Sequence, residues 1–277
     1  MKELQRENVV IKDKEDFEKK LKELIADGIE NLQVVADFDG TITKSVVDGK
    51  PALHSLDVFR HTATLSEKYR LGYDALAKKH GPSYVNPELS VEERQKVLDQ
   101  WWEDHECLCS GEILTLSDLQ RANDAINTPL RDGCEQMLRL LSHHRVPLIV
   151  SSAGVGEVIE HVLKEHNPRV VSNFIKFDEN DQIKGFSKPT VSVFNKNRFP
   201  LPVDEDRRNV MLLGDSLGDC NMADNVPGLK TVLKIGFFTG TDKEKLEKYK
   251  SCYDVVLVDD QTMHTVTALL RRILGLA

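Results

Sequence analysis

The sequence has no uninterrupted apolar run near the roughly 18 residues that a membrane span needs, and Met1 to Lys20 is charged throughout, without the apolar stretch of a signal peptide. No repeat of 20–50 residues and no low-complexity tract appears. Cysteine is sparse: Cys107, Cys109, Cys134, Cys220 and Cys252 are odd in number and lack paired zinc-type spacing. They read as reduced thiols, which with the missing leader gives a cytoplasmic expectation. Positive charge is also in deficit. Against 45 Asp and Glu stand 37 Lys and Arg, a formal net charge of −8, which excludes a general nucleic-acid-binding surface. An anionic ligand must therefore be met by local cations or a metal. What remains is ordinary globular material, 40% apolar and 30% charged over 277 residues, enough for a large buried core.

Apolar runs end in polar turns at Leu32–Ala36, Pro147–Ser151, Val170–Ser172, Val210–Gly214, Thr231–Ile235 and Asp254–Val258. Helical spacing covers Asp16–Asp27, Cys134–His143, Val155–His166, Lys243–Lys250 and Thr262–Leu274. This alternation predicts an α/β fold, a doubly wound parallel sheet covered by helices on both faces. Residues 47–127 break the rhythm: they hold both tryptophans and carry helical periodicity at Val97, Trp101 and Trp102. They are expected to form a mostly helical cap inserted after the first core strand. The core is then residues 1–46 and 128–277, with the cap above the strand ends where ligands bind in such sheets.

Four segments carry chemistry. Asp37-Phe38-Asp39-Gly40-Thr41 places two carboxylates at a strand end. Taken alone that is equally an Asx-type capping turn. Ser152-Ala153-Gly154 follows a strand and precedes a helix, so its backbone amides can surround an anion. Lys196 follows in Phe194-Asn195-Lys196, and Gly214-Asp215-Ser216-Leu217-Gly218-Asp219 brings two more carboxylates to another strand end.

In this order the four segments resemble the haloacid-dehalogenase-like phosphatases. Phe177-Asp178-Glu179, Lys184-Gly185-Phe186 and the run from Gly214 through Met222-Ala223-Asp224 are similar to the cytosolic type III 5′-nucleotidases, which act on pyrimidine or 7-methylguanosine monophosphates. The resemblance implies Asp37 as nucleophile and Asp39 as the acid, then base. It implies Ser152, Ala153, Gly154 and Lys196 at the phosphate, and a cation on Asp37, Asp215 and the Asp39 carbonyl, steadied by Asp219. The physics agrees. Three carboxylates about 5 Å apart repel by roughly 3 kcal/mol per pair at an effective dielectric near 20. All-oxygen donors beside a phosphate point to Mg²⁺.

The base-recognition region departs from the family. Its glutamate three residues before a proline is Tyr84 here, and a small residue beyond the paired tryptophans is His105. Trp102 is expected to stack on the nucleobase, with Trp101 in the helical core and Tyr84 and His105 at the substrate. The expected protein is a monomeric, Mg²⁺-dependent hydrolase of nucleoside 5′-monophosphates with no nucleic-acid or membrane partner. The alternatives are a phosphatase for another small phosphomonoester, such as a sugar phosphate, and a catalytically silent nucleotide-binding protein.

Overall fold

Leu32–Ala36 (β2) is buried along its whole length, as an apolar run without alternation must be in a sheet covered on both faces. In the computed structural model, which describes residues 2–127 and 129–276, β2 is an interior strand of a seven-stranded sheet. Its parallel neighbours are β5 (Leu148–Val155) and β9 (Asn209–Gly214), with Val34 opposite both Leu148 and Met211. Outward from β5 lies β6 (Arg169–Asn173). Outward from β9 lie β10 (Thr231–Phe238) and β11 (Val255–Val258). Beyond β11, Val9–Ile11 (β1) pairs antiparallel, a strand too short for its pattern to be read from sequence.

One face carries α1 (Lys14–Asp27), α6 (Cys134–His143) and α9 (His264–Ile273), which enclose the largest apolar cluster with β2 and β10. Asp13 caps α1 by accepting the Glu15 and Asp16 amides, and the helix buries Phe17, Leu21 and Leu24 at the spacing of one face. The other face carries α8 (Lys243–Cys252). The C-terminus of α8 lies against the turn after β9, where a disulfide joins Cys252 to Cys220. This corrects the expectation of five free thiols. The pairing comes from topology across 32 residues and leaves no trace in local spacing, while Cys107, Cys109 and Cys134 remain free.

Between β2 and β5 the chain runs through a two-residue ribbon, β3 (Val46–Val47) and β4 (Lys50–Pro51). Four helices follow: α2 (Ser55–Arg60), α3 (Glu67–Tyr84), α4 (Val91–Cys109) and α5 (Leu116–Ile126). Ser66 caps α3, and reciprocal Ser90/Glu93 and Thr115/Asp118 capping boxes start α4 and α5. These helices share an apolar cluster with α7 (Gly156–Val162) and with the hairpin of β7 (Ile175–Phe177) and β8 (Ile183–Phe186). From sequence that hairpin falls within the expected core segment, residues 128–277. In the structure Ile183 and Phe186 pack among the cap side chains. Thr128, at the expected boundary between cap and core, lies outside the described residues. Among the described residues no helix is long and apolar enough to cross a membrane.

Candidate active site

All the carboxyl ends of β2, β5 and β9 point to one place. Asp37 follows β2 and its amide bonds the Leu213 carbonyl at 3.0 Å. The backbone then turns at Gly40, whose φ of 78° favours glycine. A Cβ there would also lie 2.4 Å from an Asp215 carboxylate oxygen, so Gly40 permits the close approach of the two acidic turns. Of the carbonyls in this turn, that of Phe38 accepts the Ile42 and Thr43 amides, and those of Gly40 and Thr41 accept from Arg131.

Lys196, 2% exposed, donates to Asp37 at 2.5 Å and to Asp219 at 2.6 Å. The other Asp219 oxygen accepts the Ser216 amide and hydroxyl at 2.9 and 2.8 Å. Asp219 is thus fully engaged and acts as a fixed post for the lysine. Asp37 and Asp215 are less well served. Thr41 Oγ1 reaches them only at 3.4 and 3.3 Å. Burial raises the Asp37 pKa to about 6 despite the Lys196 ammonium. Burial, then the Asp37 charge, raises that of Asp215 well above the usual range. For Lys196, burial favours the neutral amine, but Asp219 and Asp37 outweigh it and keep the ammonium protonated.

Oxygen atoms of Asp37, Asp215 and Asp219 lie within 4.8 Å of one another. The one ammonium bonds Asp37 and Asp219 and leaves Asp215 without an ion pair among the described residues, and all available donors are oxygen. The set fits a hard divalent cation.

Asp39 is held from the cap side. The Ser55 amide and hydroxyl donate to its two oxygens at 2.8 and 2.6 Å. Ser55 Oγ also accepts the Val155 amide at 3.2 Å, which joins the start of α2 to the end of β5. Burial raises the Asp39 pKa, partly offset by His54 and Ser55. Ser152-Ala153-Gly154 forms the last part of β5 rather than a separate loop. Ser152 Oγ accepts the Gly154 amide at 3.1 Å, which leaves its own hydrogen free. Gly154 is obligatory, because a Cβ there would meet Ser55 Oγ at 1.9 Å.

These residues line a chamber of about 220 Å³ containing Asp37, Asp39, Ser152, Ala153, Gly154, Lys196, Asp215 and Asp219. A second chamber of about 300 Å³ lies beneath the cap, walled by Tyr73, Tyr84, Trp101 and Trp102. Leu56, Ala153 and Val193 line both, so the acidic chamber opens into an aromatic one.

The pyrimidine 5′-nucleotidase (UMPH-1) family matches residues 40–274. The chain belongs to that family. It is a phosphoric monoester hydrolase of the 5′-nucleotidase class. A 7-methylguanosine phosphate-specific 5′-nucleotidase of Homo sapiens is 33% identical over 259 residues, 89% of this chain and 86% of the relative. Its Drosophila melanogaster counterpart is 32% identical over 273 residues, 94% and 85% of the two chains. The crystal structure of cytosolic 5′-nucleotidase IIIB bound to cytidine superposes with a TM-score of 0.91 at 30% identity, covering 99% of this chain and 97% of that one. A probable phosphoserine phosphatase from Vibrio cholerae shares the fold, with a TM-score of 0.53 at 11% identity, over 90% of this chain and 66% of that one.

In this 5′-nucleotidase the two tryptophans differ in burial. Both line the aromatic chamber, but Trp102 is 4% exposed and packs edge-on against Phe186 at 5.0 Å, whereas Trp101 is only half-buried. Tyr84, the last residue of α3, stands at the chamber wall. His105 is a correction. It lines neither chamber and is fully buried among Phe59, Tyr69, Tyr73, Trp101, Trp102 and Phe186. Its Nε2 pairs with the Tyr69 hydroxyl at 2.8 Å, and burial lowers its pKa to about 3, so it is a neutral core residue.

Two residues of the site were not foreseen. Ser55 reads in sequence as an ordinary helix-start serine. Arg131, 1% exposed, binds the carbonyls of Gly40, Thr41 and Asp260 and stacks 4.0 Å over the Phe237 ring. It ties the segment returning from the cap to the Asp37–Thr41 turn. A lone arginine after Pro129-Leu130 carries no sequence signal of that role.

Proposed function

We propose that the enzyme hydrolyses nucleoside 5′-monophosphates, pyrimidine or 7-methylguanosine, to nucleoside and phosphate through an aspartyl-phosphate on Asp37. The observation that carries this reading is the shared wall of the two chambers: a phosphate beside Asp37 and Lys196 leaves a nucleobase within reach of Trp101 and Tyr84. We take residues 1–46 and 128–277 as core and 47–127 as cap. In this reading the enzyme is a monomer, and it is cytoplasmic, a location that the name of the cytosolic relative supports.

Ser152 Oγ–H, the Ala153 and Gly154 backbone and Lys196 hold the phosphate. An Asp37 oxygen attacks phosphorus as the bond to the ribose oxygen breaks, and protonated Asp39 delivers its proton to that oxygen. Its raised pKa suits the donor. Asp39, now a carboxylate, takes a proton from water as the water oxygen attacks phosphorus and the Asp37–phosphate bond breaks. Asp37, Asp215 and the Asp39 carbonyl would hold Mg²⁺, which would supply positive charge against phosphate and carboxylates. Asp219 fixes Lys196 and the Asp215 turn.

In the aromatic chamber Tyr84 offers a neutral partner where a carboxylate is expected of the family. Without charge assistance, selection among bases is shallow and stacking area dominates. A phosphate-release screen tests the reading with cytidine, uridine and 7-methylguanosine monophosphates and ribose 5-phosphate, each with and without Mg²⁺. Nucleotides are expected to turn over faster than the base-free sugar, and only with the cation. Equal turnover of ribose 5-phosphate overturns the nucleotide assignment.

A further inference from the structure

The loop that carries Lys196 is held from the cap as well as from the core. Ser192 Oγ donates to Gln95 Oε1 of α4 at 2.6 Å, with both residues buried. The Gln95 amide nitrogen donates to Asp99 one turn later at 2.6 Å, which fixes the amide so that its oxygen faces Ser192. From Ser192 the path to the lysine is short. Its amide donates to Asn195 Oδ1 at 2.7 Å, and its hydroxyl accepts the Phe194 amide at 3.2 Å. Arg94, beside Gln95, lies 4.8 Å over the Phe194 ring. The loop in turn braces the acidic turn: a Cβ on Gly218 would sit 1.8 Å from the Val193 carbonyl oxygen, so the two backbones are in direct contact.

Gln95 precedes Trp102 by seven residues, two helical turns, and so shares its face of α4. The same rod that presents the tryptophans to the aromatic chamber therefore grips the loop that aims Lys196 at Asp37. We infer that Gln95 and Ser192 form a latch that couples occupation of the aromatic chamber to the placement of Lys196. They act as positioning residues, so that a bound base raises turnover as well as affinity. The inference rests on the nucleotide reading given above. Its physical basis is that two buried polar groups each lose their partner if α4 moves away, so the joined arrangement is favoured over small displacements. The base, stacked on α4, biases the same arrangement.

The test compares cytidine 5′-monophosphate with ribose 5-phosphate, which share a leaving group and differ by the base. Gln95→Leu and Ser192→Ala are each expected to lower the ratio of the two kcat/KM values about tenfold, the factor one buried neutral hydrogen bond carries. The loss should appear in kcat with the nucleotide KM little changed. The double variant is expected to lose less than the product of the two single losses, because the Ser192–Gln95 bond is common to both. If Gln95→Leu does not fold, Ser192→Ala carries the measurement.

Equal losses on both substrates mark the pair as packing alone and overturn the latch, as does an unchanged ratio. Trp101→Ala separates the two failures. If it lowers the ratio while Gln95→Leu and Ser192→Ala do not, the base reading stands and the latch falls. If it too leaves the ratio unmoved, both fall together.

Discussion

Asp37 and Asp219 share one lysine, and that division of labour decides what each substitution does. In Asp37→Asn, Lys196 keeps its Asp219 partner at 2.6 Å, and one of three mutually repelling carboxylates is gone. Turnover should fall below a few percent, because the amide is a poor nucleophile. The thermal midpoint should hold or rise, because the crowded acids lose a like charge. Phosphate release and a melting curve check this; retention of more activity removes Asp37 as nucleophile. Much of this cluster was legible at the residue scale. The two acidic turns and the Ser-Ala-Gly each sit at a strand end, where a periodicity break exposes them, whereas Lys196 lies in a loop and is legible only from its place in the order of the four segments. Arg131 and Ser55 were not legible, because their roles come from neighbours 90 and 16 residues away in sequence, at Thr41 and Asp39.

At the scale of elements, α4 is the informative one. Its amphipathic spacing announced a helix, but spacing alone does not say which of two adjacent tryptophans faces the ligand. Both line the chamber, but Trp101 stacks on His105 at 4.9 Å and is only half-buried, while Trp102 packs edge-on against Phe186 and is nearly fully buried. Trp101→Ala should therefore raise the nucleotide KM by about 5- to 150-fold, the equivalent of roughly 1–3 kcal/mol of stacking, with a small change in melting temperature. Trp102→Ala opens a hole in the cap cluster and should cost about 3–5 kcal/mol of stability by urea unfolding. The reverse pattern would restore Trp102 as the stacking residue. The β7–β8 hairpin escaped sequence reading for a related reason: its strands hold three and four residues, too few for a period, and their burial comes from docking on α4 and the segment before α5.

For the whole molecule, pH acts also through a carboxylate away from the chemistry. Glu157, near the start of α7, accepts the Ile175 amide at 2.8 Å, while its other oxygen is buried without a partner among the described residues. Burial, reinforced by Glu160, raises its pKa from 4.5 to about 7. The folded protein holds this proton more tightly than the unfolded chain. Its stabilising contribution is therefore complete below about pH 4.5 and is lost as pH rises through 7. Glu157→Gln keeps an oxygen for the Ile175 amide without the charge. Its stability relative to wild type should climb between pH 4.5 and 7 and then level off, as urea midpoints across that range will show. A constant difference would place the titration elsewhere. At the opposite margin, β1 has a consequence for solubility. Asn8 and Lys12 extend its pairing with β11 through bonds to Val258 and Asp254. A chain begun at Asp13 leaves the backbone donors and acceptors of Val255-Val256-Leu257-Val258 open, a flat apolar border that other copies can extend. Light scattering should show that truncated protein self-associating, while a monodisperse monomer would mean the border is guarded by something else. The first dozen residues then act as a bumper strip, lost to solubility before it is missed by catalysis.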